Sequence, residues 1–152
     1  MHALLMVALV LGAGEIGPND TEVLATTPAA LSKLARAEIK VESNGQATTY
    51  AGVPLAAILA SRAKPIEGMP GLRDLSDAVI LLRAKDGYRV AVSAAAVAMD
   101  PKGERYLLAD ARDGQARAPQ LIIPGDPQRV RWIRDVVEVR LVRLDQLLKP
   151  EP

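Results

Sequence analysis

The sequence predicts a β-rich α+β fold with mostly antiparallel strand pairing. Three observations lead there. Asn44-Gly45, Asp86-Gly87 and Asp113-Gly114 are turn dipeptides, each set between stretches that read as strands. The apolar segments are short and do not alternate with long helices, as a parallel βαβ sheet would require. The glycines fall in turns rather than in the spacing of a phosphate-binding loop. The expected count is six to eight short strands, mixed or antiparallel, with two to three short helices.

Taken in order, the chain begins "MHALLMVALVLGAGEIGPND", with an uncharged apolar run from Ala3 to Ala13. That is shorter than the ~20 residues needed to span a bilayer. It fits the apolar part of a signal peptide, with cleavage near Ala13-Gly14; the alternative is a buried first strand or helix. Residues 1–14 are therefore expected to be a signal peptide, and 20–148 a single domain. This implies a periplasmic or secreted protein without a stable membrane span after cleavage.

"PAALSKLAR" (28–36) reads as a short helix with proline at its first position. Ile39 and Val41 then alternate, Asn44-Gly45 turns, and Thr48 to Ala51 return. "VPLAAILASRAK" places Leu55, Ile58 and Leu59 on one helical face. Residues 64–77, with two prolines and two glycines, read as a loop. "AVILLRAKDGYRVAVS" is a second hairpin. "SAAAVAMD" is a one- or two-turn helix with Ser93 as N-cap. Two more strands flank Asp113-Gly114, and 136–144 alternate as the last strand.

Composition narrows the function classes. At 152 residues the chain can bury a core, and with 3% aromatics and no Phe that core is aliphatic. A net charge of +1 supplies no global field for nucleic acid. The chain has no cysteine, so disulfides, thiolate metal ligands and cysteine nucleophiles are excluded. Its one histidine is His2, which leaves no Ser-His-Asp triad or histidine zinc site in the domain. No acidic calcium loop is visible, and no metal-ligating residues are assigned. No acid–base pair stands out, so no catalytic residues are assigned.

The chemistry concentrates in "QLIIPGDPQRVRWIRDVVEVRLVR" (120–143), where the only tryptophan stands among Arg129, Arg131 and Arg134. Guanidinium offers a planar donor fork and stacks on rings, and Trp offers a π face and one donor. The set suits a flat anion. In an extended segment, however, Arg129 and Arg131 would share one face while Trp132 and Arg134 share the other. Trp132 would then be core and the arginines solvated. Arg112, Asp113 and Tyr88 complete the candidate binding residues. Asp113 and Tyr88 also belong to Asp-Gly turns, which need no ligand to explain them.

Four segments, in order from about Ala37 to Leu144, resemble the sulfite-oxidase-type molybdopterin-binding domain. They are "YAGVPLAAILA", "KDGYRVAVS", "LLADARDGQ" and "QLIIPGDPQRVRWIRDVVEV". Enzymes of that family hold molybdenum through a cysteine thiolate upstream of the G-V-P-L segment. Here that stretch is "EIKVESNGQ", around Lys40 to Ser43, without a cysteine. The chain is most similar to small exported members that lack the metal ligand and resemble pterin-binding sensors.

The resemblance implies the sulfite-oxidase fold and a non-catalytic domain. It implies a small planar ligand, a pterin rather than a molybdenum cofactor, and a membrane signalling or redox protein as partner. It sets Arg131 and Arg134 at positions that line the family's pterin or phosphate pocket. Asp110, Asp113 and Asp126 are the carboxylates available for a pterin's amino edge. Two other readings stay open: a molybdopterin-dependent oxidoreductase or redox accessory subunit, and a pure interaction module with a vestigial pocket.

Overall fold

The computed structural model describes residues 21–62 and 66–144. The expected signal peptide and the last residues of the chain lie outside them. The described residues form eight strands and four short helices. In chain order these begin with β1 (Thr21–Val23), α1 (Pro28–Leu31), β2 (Ala37–Ser43), β3 (Gln46–Pro54), α2 (Leu55–Ala60) and α3 (Gly68–Asp74). There follow β4 (Ala78–Ala84), β5 (Arg89–Ser93), α4 (Ala94–Ala98), β6 (Leu107–Arg112), β7 (Gln115–Ile122) and β8 (Val136–Arg143).

The strands make two four-stranded sheets, ordered β1-β8-β4-β5 and β2-β3-β6-β7. Every pairing is antiparallel. The α+β class holds, and the pairing is antiparallel throughout rather than mixed.

The Asx-Gly dipeptides do the turning where a two-residue loop needs positive φ. Asn44 and Gly45 have φ of 51° and 75°, joining β2 to β3; Asp113 and Gly114 have 49° and 79°, joining β6 to β7. Both pairs match the type I′ requirement for positive φ at both central positions. Ser93 caps α4 as expected, its Oγ accepting the Ala96 N–H at 3.2 Å.

Two helical expectations need correction. The helix expected over 28–36 stops at Leu31. Thr27 caps its start, and the Ser32 hydroxyl donates to the Ala29 carbonyl at 2.8 Å as the chain turns away. The segment expected as a loop contains α3, which raises the helix count to four. Its Pro70 lies in the first turn, where the missing N–H has no helical partner to lose. Its Gly71 N–H bonds to the Glu67 carbonyl at 3.0 Å. The helix buries no residue, so it lacks the apolar stripe by which a sequence announces a helix.

One aliphatic core draws on both sheets and on α2 and α4. Leu55, Ile58 and Leu59 of α2, Ile80 and Leu82 of β4, and Leu121 and Ile122 of β7 are fully enclosed. Burial of each such side chain is worth about 1.5–3 kcal/mol. The strand-to-helix corner between β3 and α2 is tight. A bulge falls between Ala51 and Gly52, and a Cβ on Gly52 would lie 2.1 Å from the Leu108 carbonyl oxygen. Only glycine permits β3 and β6 to approach so closely there.

Candidate functional site

One face of the β2-β3-β6-β7 sheet carries an open cleft of about 710 Å³. Alternation along β2 and β3, and a register shift between β6 and β7 that breaks it, set its floor. Val41 and Ser43 come from β2, Thr48 and Tyr50 from β3, Ala109 and Arg112 from β6, and Arg117 and Gln120 from β7. The connection from β7 to β8 folds beside this floor and adds Arg129, Trp132, Arg134 and Asp135. β7 tolerates Pro119 because it is an edge strand, with a register break opposite.

That connection is not extended, which corrects the expected alternation of faces. Pro124-Gly125 and Pro127-Gln128 make tight turns, and the Asp126 N–H bonds to the Ile123 carbonyl at 3.0 Å. Arg129 adopts φ of 51°, and its carbonyl accepts the Trp132 N–H at 3.0 Å. Bonds from the Leu121 N–H to the Ile133 carbonyl and from the Lys85 N–H to the Asp135 carbonyl pin the segment to β7 and to the end of β4. The turns bring Arg129 to the cleft together with Trp132 and Arg134, and leave Arg131 out of its lining. Arg131 forks onto Asp126 instead, with contacts of 2.8 and 2.5 Å. The bond to Asp126 raises the guanidinium pKa above its ordinary value, against the opposing effect of burial.

Trp132 is both core and wall. It is 7% exposed, and its Nε1–H donates to the Ile123 carbonyl at 2.7 Å. Tyr50 meets it edge-on, with centroids 5.8 Å apart and planes at 88°. The Arg129 guanidinium carbon stands 4.5 Å from its ring centroid. Such a contact is an attraction of the cation to the ring quadrupole.

The charge pattern is one-sided. Arg112, Arg117, Arg129 and Arg134 line the cleft, with Asp135 as the single carboxylate there. Among the described residues none of these arginines has a carboxylate within ion-pair distance. Elsewhere Arg36, Arg62, Arg83, Arg131, Arg140 and Arg143 each have one, whereas Arg73, Arg89 and Arg105, outside the cleft, have none among the described residues either. Like charges held together without counterions repel, so the cleft favours an anion, and guanidinium forks favour carboxylate or phosphate.

The other candidates lie apart from the cleft. Asp113 clasps β3: its Oδ1 accepts the Thr49 N–H at 2.9 Å, and its own N–H bonds to the Thr49 carbonyl at 2.8 Å. Asp110 forks onto Arg36, as Asp126 does onto Arg131. Tyr88 is 52% exposed and donates its hydroxyl to the Val130 carbonyl at 2.9 Å. It borders a shallower hollow of about 550 Å³ that shares Arg134 and Asp135 with the cleft. Arg117, Gln120 and Asp135 were not singled out from the sequence. Counting outward from the Asp113-Gly114 turn could have put Arg117 across from the Arg112 strand, but the register break hides the pairing.

Molybdenum chemistry does not fit these residues. At the cleft, β2 presents Val41 and the hydroxyl-bearing Ser43, and the chain holds no thiolate for a soft metal–dithiolene centre. Among the described residues no group of three or more His, Cys, Asp or Glu side chains converges. No protein-family model and no curated protein matches the chain.

Proposed function

We propose that this chain is an exported, non-catalytic domain of the sulfite-oxidase-type fold whose cleft binds a small planar anion and relays occupancy to a membrane signalling or redox partner. A pterin is the ligand class. The observation that carries the reading is the gathering of Arg112, Arg117, Arg129 and Arg134, without carboxylate partners among the described residues, around a Trp132–Tyr50 wall. Guanidinium forks take the ligand's oxygens, and the Trp132 ring supplies a π face beneath Arg129. The ordered resemblance of four segments to the sulfite-oxidase-type domain supplies the choice of pterin.

Calorimetry with reduced and oxidised pterins tests it. Saturable binding is expected, with Arg112→Ala and Arg134→Ala each weakening it about tenfold, the worth of one charge-assisted hydrogen bond. Folded protein that shows no saturation at high micromolar pterin would refute the proposal.

A further inference from the structure

Trp132 is the chain's only tryptophan and lines the cleft, and Arg129, which lines it too, lies over its ring. Its nitrogen is bonded to Ile123 and Tyr50 packs against it at right angles, so the ring itself is fixed. The covering group is not. Arg129 has no ion-pair partner among the described residues, lines the cleft, and holds its place by the ring contact and a backbone turn with φ of 51°. The arginine two positions on, Arg131, is by contrast locked to Asp126.

We infer that Arg129 is the specificity-determining residue of the cleft, a displaceable cap on Trp132 that admits ligands which are planar and anionic together. The inference rests on the ligand-binding reading of the cleft. A flat ring that reaches Trp132 must first move the guanidinium, and a cation–π contact of this kind corresponds to about two- to fivefold in affinity. Stacking an aromatic ring on a protein aromatic is worth roughly 5- to 150-fold, so displacement is favourable. The freed guanidinium keeps its charge, and a hydrogen bond to an anionic substituent adds roughly tenfold or more. A neutral ring gains the stacking without that bond. A compact anion such as phosphate draws Arg129 away and leaves the indole face bare.

The test uses the full chain, wild type and Arg129→Gly, glycine being chosen because it accepts positive φ without strain. Pterin-6-carboxylate, unsubstituted pterin and inorganic phosphate are titrated by calorimetry and by Trp132 fluorescence. Wild type is expected to prefer the carboxylate over the neutral pterin by about tenfold or more, with phosphate weaker than either. In Arg129→Gly the preference is expected to fall to about threefold, sustained by the remaining arginines. Without ligand, acrylamide quenching of Trp132 is expected to rise about twofold in the variant as the ring loses its cover. Arg129→Lys, which keeps the charge but not the planar fork, serves as second variant and is expected to show increased quenching too.

An unchanged preference, or unchanged quenching in both variants, overturns the role of Arg129 while the ligand site stands. If no probe saturates folded wild type, the ligand reading falls and the cap falls with it.

Discussion

Replacing Asp100 removes a buried carboxylate, at 6% exposure. Its Oδ1 accepts the Glu104 N–H at 3.1 Å, and its Oδ2 accepts the N–H groups of Arg105 and Tyr106 at 3.0 and 2.9 Å. The same loop closes on Gly103, whose N–H bonds to the Asp100 carbonyl at 3.1 Å. The Tyr106 carbonyl in turn receives the Leu55 N–H at 3.0 Å, which fixes the first residue of α2. A single carboxylate therefore organises the entry to β6 and the corner between β3 and α2.

A hydrogen bond to a charged group contributes roughly 1.5–3 kcal/mol. Three bonds to one side chain do not add in full, so Asp100→Ala is expected to cost about 4 kcal/mol. Asp100→Asn keeps an oxygen for Arg105 and Tyr106 but turns an amide toward the Glu104 N–H; about 2 kcal/mol is expected. Urea and thermal unfolding followed by circular dichroism measure both. At roughly 4 °C per kcal/mol the melting temperature of the alanine variant should fall by about 15 °C. A loss below about 1.5 kcal/mol for alanine would refute the argument. So would equal losses for the two variants, since the reasoning depends on which oxygen each donor uses.

Two further predictions test the frame. Gly52→Ala is expected to destabilise by about 3 kcal/mol, because the new Cβ meets backbone atoms of Leu108 and Ala109 that no rotamer change can move aside; a wild-type melting temperature would contradict this. The Glu138 carboxyl is held below the usual carboxylate range by its hydrogen bonds to Arg140, at 2.7 and 3.1 Å, with burial opposing and the Arg83 charge assisting. Its stabilisation is then complete above the unfolded value of about 4.3 and is lost as pH falls through the lower folded value. Glu138→Gln should be less stable than wild type at neutral pH, and the two urea midpoints should converge under acid. A gap that stays constant as pH falls would exclude this linkage.

Hairpins were the most legible elements because their signal is local. Asn44-Gly45 and Asp113-Gly114 carry the positive φ that a two-residue turn demands, whatever surrounds them. β8 and α2 were legible for a related reason: alternation or helical spacing of apolar residues records a buried face. α3 was illegible because it buries nothing, and its glycines and proline read as breaks. Asp100 gave no signal, since "MDPKGERY" resembles any polar loop until three N–H groups converge on one carboxylate.

The site divides in the same way. By itself the sequence determined that three arginines and the only tryptophan cluster at residues 129–134 and that no thiolate is present, because composition and position along the chain need no folding to be read. Only the tertiary structure decided which arginine does what. Turns at Pro124-Gly125 and Pro127-Gln128 break the two-residue alternation, so Arg131 meets Asp126 while Arg129 covers Trp132. Long-range strand pairing then carries Arg112 and Arg117, distant in sequence from Trp132, to the same cleft. Side-chain pairing across such distances is set by register and by which carboxylates lie within reach, and neither is written in a local stretch of sequence.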